Sequence, residues 1–150
     1  MLAQKFLSVR IDRRLIMGAA SVIEGGMRFI SPTGPGLGYG TGAGGTVTQI
    51  TNRATGVTLN KLSGAITTTN ASLAAEASAD FVVTNSTVAI GDVVCISIRS
   101  GSNGGGTVLQ VAATAAGSFT IRVHNGNVAA GTAETGAIII NFAVIKAVSA

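Results

Sequence analysis

Apolar and polar positions alternate along most of the chain, in short segments separated by glycine-rich stretches. Such alternation places apolar side chains on one face of an extended strand and polar side chains on the other. Near the N-terminus, Leu7, Val9 and Ile11 alternate with polar residues in this way. The pattern predicts a half-buried strand there.

From residue 46 onwards the alternating segments are rich in β-branched residues and bounded by turn formers, which is typical of strands. The pattern predicts strands over 46–51, 56–61, 64–69, 81–85, 92–99, 107–112, 118–124 and 136–148. Residues 71–79 fit either one helical turn or a loop. Short strands separated by glycine-rich turns predict an all-β fold, with a small β-sandwich or barrel-like body and an extended N-terminal arm.

Glycine and proline divide the chain into three parts. Residues 31–45 hold both prolines and seven of the 21 glycines, which excludes a helix and predicts a linker. We therefore predict an N-terminal arm at 1–30, the linker at 31–45 and a β-rich body at 46–150. A linker that is not coupled to the body further predicts that the body folds without the arm.

The last predicted strand, 136–148, is apolar at almost every position. A strand that is apolar on both faces is covered on both faces. In a chain of this size, a second copy is a natural source of the second cover. We therefore predict an oligomer interface formed by Ile138, Ile140, Phe142 and Val144.

Composition supports an assembly. Charged residues make up 11% of the chain, against roughly 25% in an ordinary globular protein. A small monomer with so few charges would expose much apolar surface, so neighbouring subunits are expected to cover part of it. We predict no membrane contact, because the longest apolar run contains Asn141 and Lys146, and a spanning helix needs about 20 apolar residues.

The basic excess lies in the arm. The net charge is +4, and residues 1–39 carry +3 of it, from five basic and two acidic residues. A basic arm suits an acidic protein surface rather than nucleic acid, because the chain has no Trp and only one Tyr with which to stack on bases. The predicted contacts are Arg10, Arg13, Arg14 and Arg28. The alternative is that these arginines form a solvated face.

Candidate catalytic chemistry is sparse. His124 is the only histidine and Cys95 the only cysteine, so three or four converging metal ligands are not available from these types. Ser86 or Ser118 with His124 and Asp92 would make a Ser-His-Asp set, but no nucleophile elbow is present. We predict no catalytic residue, no cofactor and no metal, and hence not an enzyme.

Two further features have structural interpretations. The glycine runs 34–38 and 101–106 lack the G-K-[ST] ending of a phosphate-binding loop, which predicts turns or linkers. Cys95 lies within an apolar run, which predicts a buried, inert thiol and folding in a reducing compartment. The carboxylates of Glu76 and Asp80 are four residues apart, and we interpret them as part of a solvated loop.

Four segments of the body resemble a known family. They are TGVTLNKLSGAIT at 55–67, FVVTNS at 81–86, AGSF at 116–119 and INFAVIKA at 140–147. Together they are similar to small tailed-phage and prophage proteins associated with capsid decoration, or cement, and the resemblance covers residues 41–150. Residues 1–40 lie outside it.

The resemblance implies a β-rich homotrimer on the outside of an icosahedral phage head. There it would clamp neighbouring major capsid proteins against internal DNA pressure. It also implies synthesis in the host cytoplasm and a place on the outer face of the capsid in the virion. The alternative function is a tail-fibre or receptor-binding module, which the shortage of aromatic residues for stacking on sugars disfavours.

Overall fold

The computed structural model describes residues 38–40, 42–103, 105–129 and 131–147. Each strand lies within, or overlaps, a segment in which alternation predicted one, and residues 71–77 form a loop that leads into the fourth strand. The eight strands are β1 (Thr46–Thr48), β2 (Val57–Thr58), β3 (Ser63–Thr67), β4 (Ser78–Thr84), β5 (Val93–Ser100), β6 (Thr107–Ala115), β7 (Ser118–Asn125) and β8 (Ile139–Ile145). The all-β prediction is confirmed.

The strands form two four-stranded sheets. Sheet A has the order β1-β3-β8-β5, and sheet B has the order β2-β4-β7-β6. The central pairings are antiparallel, whereas the short β1 and β2 pair in parallel with β3 and β4. At one side of the body β5 faces β6, and at the other side β1 faces β2. The two sheets pack face to face as a β-sandwich.

The hydrophobic core lies between the sheets. Its fully buried large side chains include Ile66, Phe81, Phe119, Ile121 and Ile140. Phe119 of sheet B meets Phe142 of sheet A with 5.4 Å between the ring centroids and a tilted geometry, which aromatic pairs favour. Gly64 on β3 leaves room for this ring, since a Cβ there would lie 3.0 Å from Phe142 and 2.6 Å from the carbonyl oxygen of Gly45.

The position of β8 corrects the predicted oligomer interface. β8 lies between β3 and β5, and its alternate side chains face sheet B. The predicted interface residues Ile138, Ile140, Phe142 and Val144 are 0%, 0%, 3% and 0% exposed. Because their own chain encloses them, these four residues have no surface to offer a second copy. The inward face of β8 is apolar because it lies in the core, whereas Ile139 and Ile145 are apolar residues of its outward face.

The chain enters the body before residue 46. The hydroxyl of Tyr39 donates a hydrogen bond to the carbonyl oxygen of Val144. The N–H of Ala65 donates to the carbonyl oxygen of Gly45 over 2.9 Å. Part of the predicted linker therefore bonds to sheet A. The predicted arm, with its four arginines, lies outside the described residues.

The register of β8 can be tested by a pair of truncations on the same strand. Phe142→Ala should lower the free energy of unfolding by about 3–5 kcal/mol, because it opens a cavity between the sheets. Ile145→Ala should cost less than about 1 kcal/mol, because Ile145 faces outward and is 55% exposed. Urea unfolding measures both. Equal losses of unfolding free energy for the two variants would contradict the register.

Candidate interaction surfaces

No catalytic or metal-binding cluster appears in the part of the chain that the structure describes. No three His, Cys, Asp or Glu side chains there lie close enough to hold a metal ion. His124 Nδ1 lies 3.0 Å from Ser78 Oγ, whereas the carboxylate of Asp92 accepts hydrogen bonds from Lys146 and from the N–H of Ala89. The Ser-His-Asp set considered from the sequence is therefore not assembled.

The outer face of sheet B is polar and charged. Arg122 on β7 and Asp80 on β4 lie opposite each other and form a two-bond ion pair, with N–O distances of 2.8 and 2.7 Å. The hydrogen bond from Arg122 lowers the pKa of Asp80, and the same bond raises the pKa of Arg122. Ser78 and His124 form the neighbouring cross-strand pair. This face resembles an ordinary solvated protein surface.

The outer face of sheet A carries no charged side chain at its paired positions. Its outward residues are Thr46 and Thr48 of β1, Ser63, Ala65 and Thr67 of β3, Ile139, Asn141, Ala143 and Ile145 of β8, and Val93, Cys95 and Ser97 of β5. Val93 and Ile145 are adjacent and 54% and 55% exposed. Cys95 is exposed on this face, so the prediction of a buried thiol is wrong.

A third surface is the side where β5 faces β6, which we call the open side. Both strands are the last of their sheets there, and no backbone hydrogen bonds join them. Val94 of β5 is buried, but the other inward-facing apolar side chains of the two strands are only partly covered, in contrast to Ile121 of the central strand β7, which is fully buried. The open-side residues are Ile96 and Ile98 of β5 and Leu109 and Val111 of β6.

Some backbone groups at the open side have no hydrogen-bond partner within the part of the chain that the structure describes. The N–H of Val144 donates to the carbonyl oxygen of Leu62, so its partner Val94 is in a pair without hydrogen bonds to β8. By the alternation of an antiparallel ladder, the N–H and C=O of Val94, Ile96 and Ile98 point away from the sheet. On β6, the bond from Gly126 N–H to the Gly106 carbonyl oxygen fixes the same alternation. There the groups of Thr107, Leu109 and Val111 point outward.

The opposite side of the sandwich is short. β1 has three residues and β2 has two, so neither presents a long row of free backbone groups. β5 has eight residues and β6 has nine. The long, free edges of the described body therefore lie together on the open side.

A buried polar network fixes the loop that joins β5 to β6. Glu134 is fully buried and accepts hydrogen bonds from Ser102 Oγ (2.6 Å), Thr107 Oγ1 (2.5 Å) and the N–H groups of Gly136 (2.7 Å) and Asn103 (3.2 Å). Burial alone raises the pKa of Glu134, but these hydrogen bonds outweigh it and lower the pKa to about 2. The carboxylate therefore holds residues 102–107 against the segment that precedes β8.

Arg53 binds the other side of this segment and is 3% exposed. Its Nη2 donates to the carbonyl oxygens of Glu134 (3.1 Å) and Gly136 (2.8 Å), and its Nε donates to that of Ala71 (2.5 Å). Burial lowers the pKa of Arg53, although attraction to Glu134 partly opposes the shift. No local pattern in the sequence marks either residue, because their partners come from distant loops.

Comparison with protein-family models, curated proteins and solved structures finds no match for this chain. Among the described residues there is no helix of the length and hydrophobicity required to cross a membrane.

The Glu134 network predicts a specific pH dependence. The folded-state pKa of about 2 lies below the ordinary value of 4.5, so ionised Glu134 stabilises the fold above pH 4.5, and this contribution is lost as the pH falls towards 2. The difference between the two pKa values corresponds to about 3 kcal/mol in the free energy of unfolding. Glu134→Gln should therefore be less stable than the wild type at pH 7.

The difference in the free energy of unfolding between Glu134→Gln and the wild type should narrow steadily between about pH 4.5 and pH 2. Urea unfolding at each pH measures it. Glu76→Gln is the matched control, because Glu76 is exposed. A gap that stays constant over this range would show that Glu134 is not ionised in the folded protein.

Proposed function

We propose that this protein is a non-enzymatic structural subunit of a phage virion, which binds the outside of the major capsid shell as a homo-oligomer and stabilises it. The observation that carries the proposal is the nature of the described surface. A sheet face without charge at its paired positions and two long strand edges suit contact with other protein chains, and no group of catalytic side chains is assembled in the described body.

The resemblance to capsid decoration proteins involves the framework of the sandwich. Its segments contain β2 and β3, most of β4, the turn between β6 and β7, and most of β8. They supply Phe81, Phe119 and Phe142, which are buried between the sheets. Agreement in core-forming segments supports a shared β-rich body, and the virion role is inferred from that likeness.

The charges of the described body favour an external acidic partner for the arm. Asp80 pairs with Arg122, Asp92 pairs with Lys146, and Glu134 is buried. Among the described residues only Glu76 has an exposed carboxylate that is not in an ion pair. The body of a second copy therefore presents few unpaired carboxylates with which the arginines of the arm could pair. An acidic surface on the capsid shell would provide them.

Charge reversal in the arm tests the contact with the shell. Arg13→Glu combined with Arg14→Glu should lower occupancy on undecorated phage heads, because carboxylates then face an acidic surface. The loss should be larger at low salt than at 1 M salt, where the Debye length falls to about 3 Å. Bound protein is measured by cosedimentation with the heads, and oligomeric state by analytical ultracentrifugation.

The matched control replaces the same two arginines by lysine, which keeps the charge but loses bidentate pairing. Unchanged binding by the glutamate variant at both salt concentrations would contradict a role for the arm's charge. Antibody labelling of virions in negative stain locates the protein independently. Label on the tail rather than on the head would replace the proposed function by the tail-fibre alternative.

A further inference from the structure

We infer that copies of this chain assemble through the open side, with the free edge of β6 in one copy pairing with the free edge of β5 in the next. The open-side residues would then form the centre of the oligomer. The inference rests on the proposed function only in taking the protein to be a homo-oligomer, and it names the surface that makes the oligomer.

Incomplete burial on the open side is the first support. Leu109, Val111 and Ile96 pack against the core but remain partly exposed, and Ile98 is 37% exposed. These side chains face inward between the sheets. Charged or polar groups of a partner would lose their hydration there without gaining hydrogen bonds in return. The surface that covers them must be apolar.

The free backbone groups are the second support. Val94, Ile96 and Ile98 on β5, and Thr107, Leu109 and Val111 on β6, direct N–H and C=O groups away from their sheets at every second residue. Only another strand edge presents donors and acceptors at this spacing. Pairing with a strand also places its alternate side chains beside the open-side residues.

The distribution of charge selects a second copy as the partner. β6 has no charged residue over Thr107–Ala115, and β5 has only Arg99, at its bulge. Natural proteins usually protect long edges with charged residues, proline, bulges or short strands. β5 has a bulge after Ile98 and β6 has one after Val111, but residues 93–98 and 107–111 have no bulge, charge or proline. An uncharged edge matches another uncharged edge, and pairing between copies brings no like charges opposite each other.

Closure of the assembly follows from the arrangement of the edges. Each copy brings one β5 edge and one β6 edge on the same side, so pairing β6 to β5 around a rotation axis satisfies both kinds of edge. The other side ends in β1 and β2, which are too short to continue the pairing. Where the rotation between neighbouring copies closes, the assembly is a ring, and a trimer is one such ring.

Two lysine substitutions on β6 provide the test in the full-length protein. Val111→Lys places a charge on the open side, whereas Val108→Lys places one on the outer face of sheet B, where Val108 is 55% exposed. Sedimentation velocity should show that Val111→Lys weakens self-association by about tenfold or more. Val108→Lys should behave as the wild type does. Circular dichroism checks that each variant is folded.

Leu109→Pro is the second variant, in case Val111→Lys does not fold. The Leu109 N–H points to the free edge, so proline there removes an intermolecular donor while leaving the pairing of β6 with β7 intact. It should also weaken self-association. A folded Leu109→Pro or Val111→Lys protein with wild-type association would overturn the inference.

The same proteins distinguish this inference from the proposed function. An oligomer that the edge variants dissociate, but that does not bind phage heads, would support the inference and contradict the function. A monomeric wild type whose head binding is lost in the edge variants would overturn the inference, since the open side would then bind the shell directly. If the edge variants remain oligomeric and still bind phage heads, the proposed function is supported and the inference is overturned.

Discussion

Free backbone groups at strand edges are the constraint on which the rest of this structure depends. Two open sheets of four strands leave four edges, and every unpaired N–H and C=O on them is a potential pairing site. Two of these edges are very short strands, β1 and β2. The other two are long, uncharged over most of their length and close together. One side of the sandwich thus ends in two short edges and the other side ends in two long ones.

The buried network around Glu134 maintains this geometry. The loop between β5 and β6 would otherwise be a glycine-rich connection with few contacts of its own. Ser102 and Thr107 donate to the Glu134 carboxylate, and Arg53 binds the backbone on either side of it. Because a buried carboxylate is costly unless its acceptors are filled, these contacts specify one arrangement of the loop. The network thereby fixes the connection between the two long edges, which are themselves placed by pairing with β8 and β7.

The two outer faces and the open side have different physical character. Sheet B carries the Asp80–Arg122 ion pair on its outer face, and the paired positions of sheet A carry no charge. Charged residues are depleted at the centres of protein–protein interfaces. The proposed role as a structural subunit would account for this distribution and for the scarcity of charged residues in the whole chain.

Local sequence pattern predicts where the strands lie to within a few residues, because alternation and turn residues act over a few neighbouring positions. It also predicts the all-β fold. The burial of Ile138 and Val144 within one chain, the exposure of Cys95 and the open side formed by β5 and β6 are seen only in the tertiary structure. Alternation shows that the two faces of a strand differ, but which face is inside and which strand lies at an edge depend on pairings between segments far apart in the chain. β8, for example, pairs with β3 and β5, and no local pattern encodes that choice.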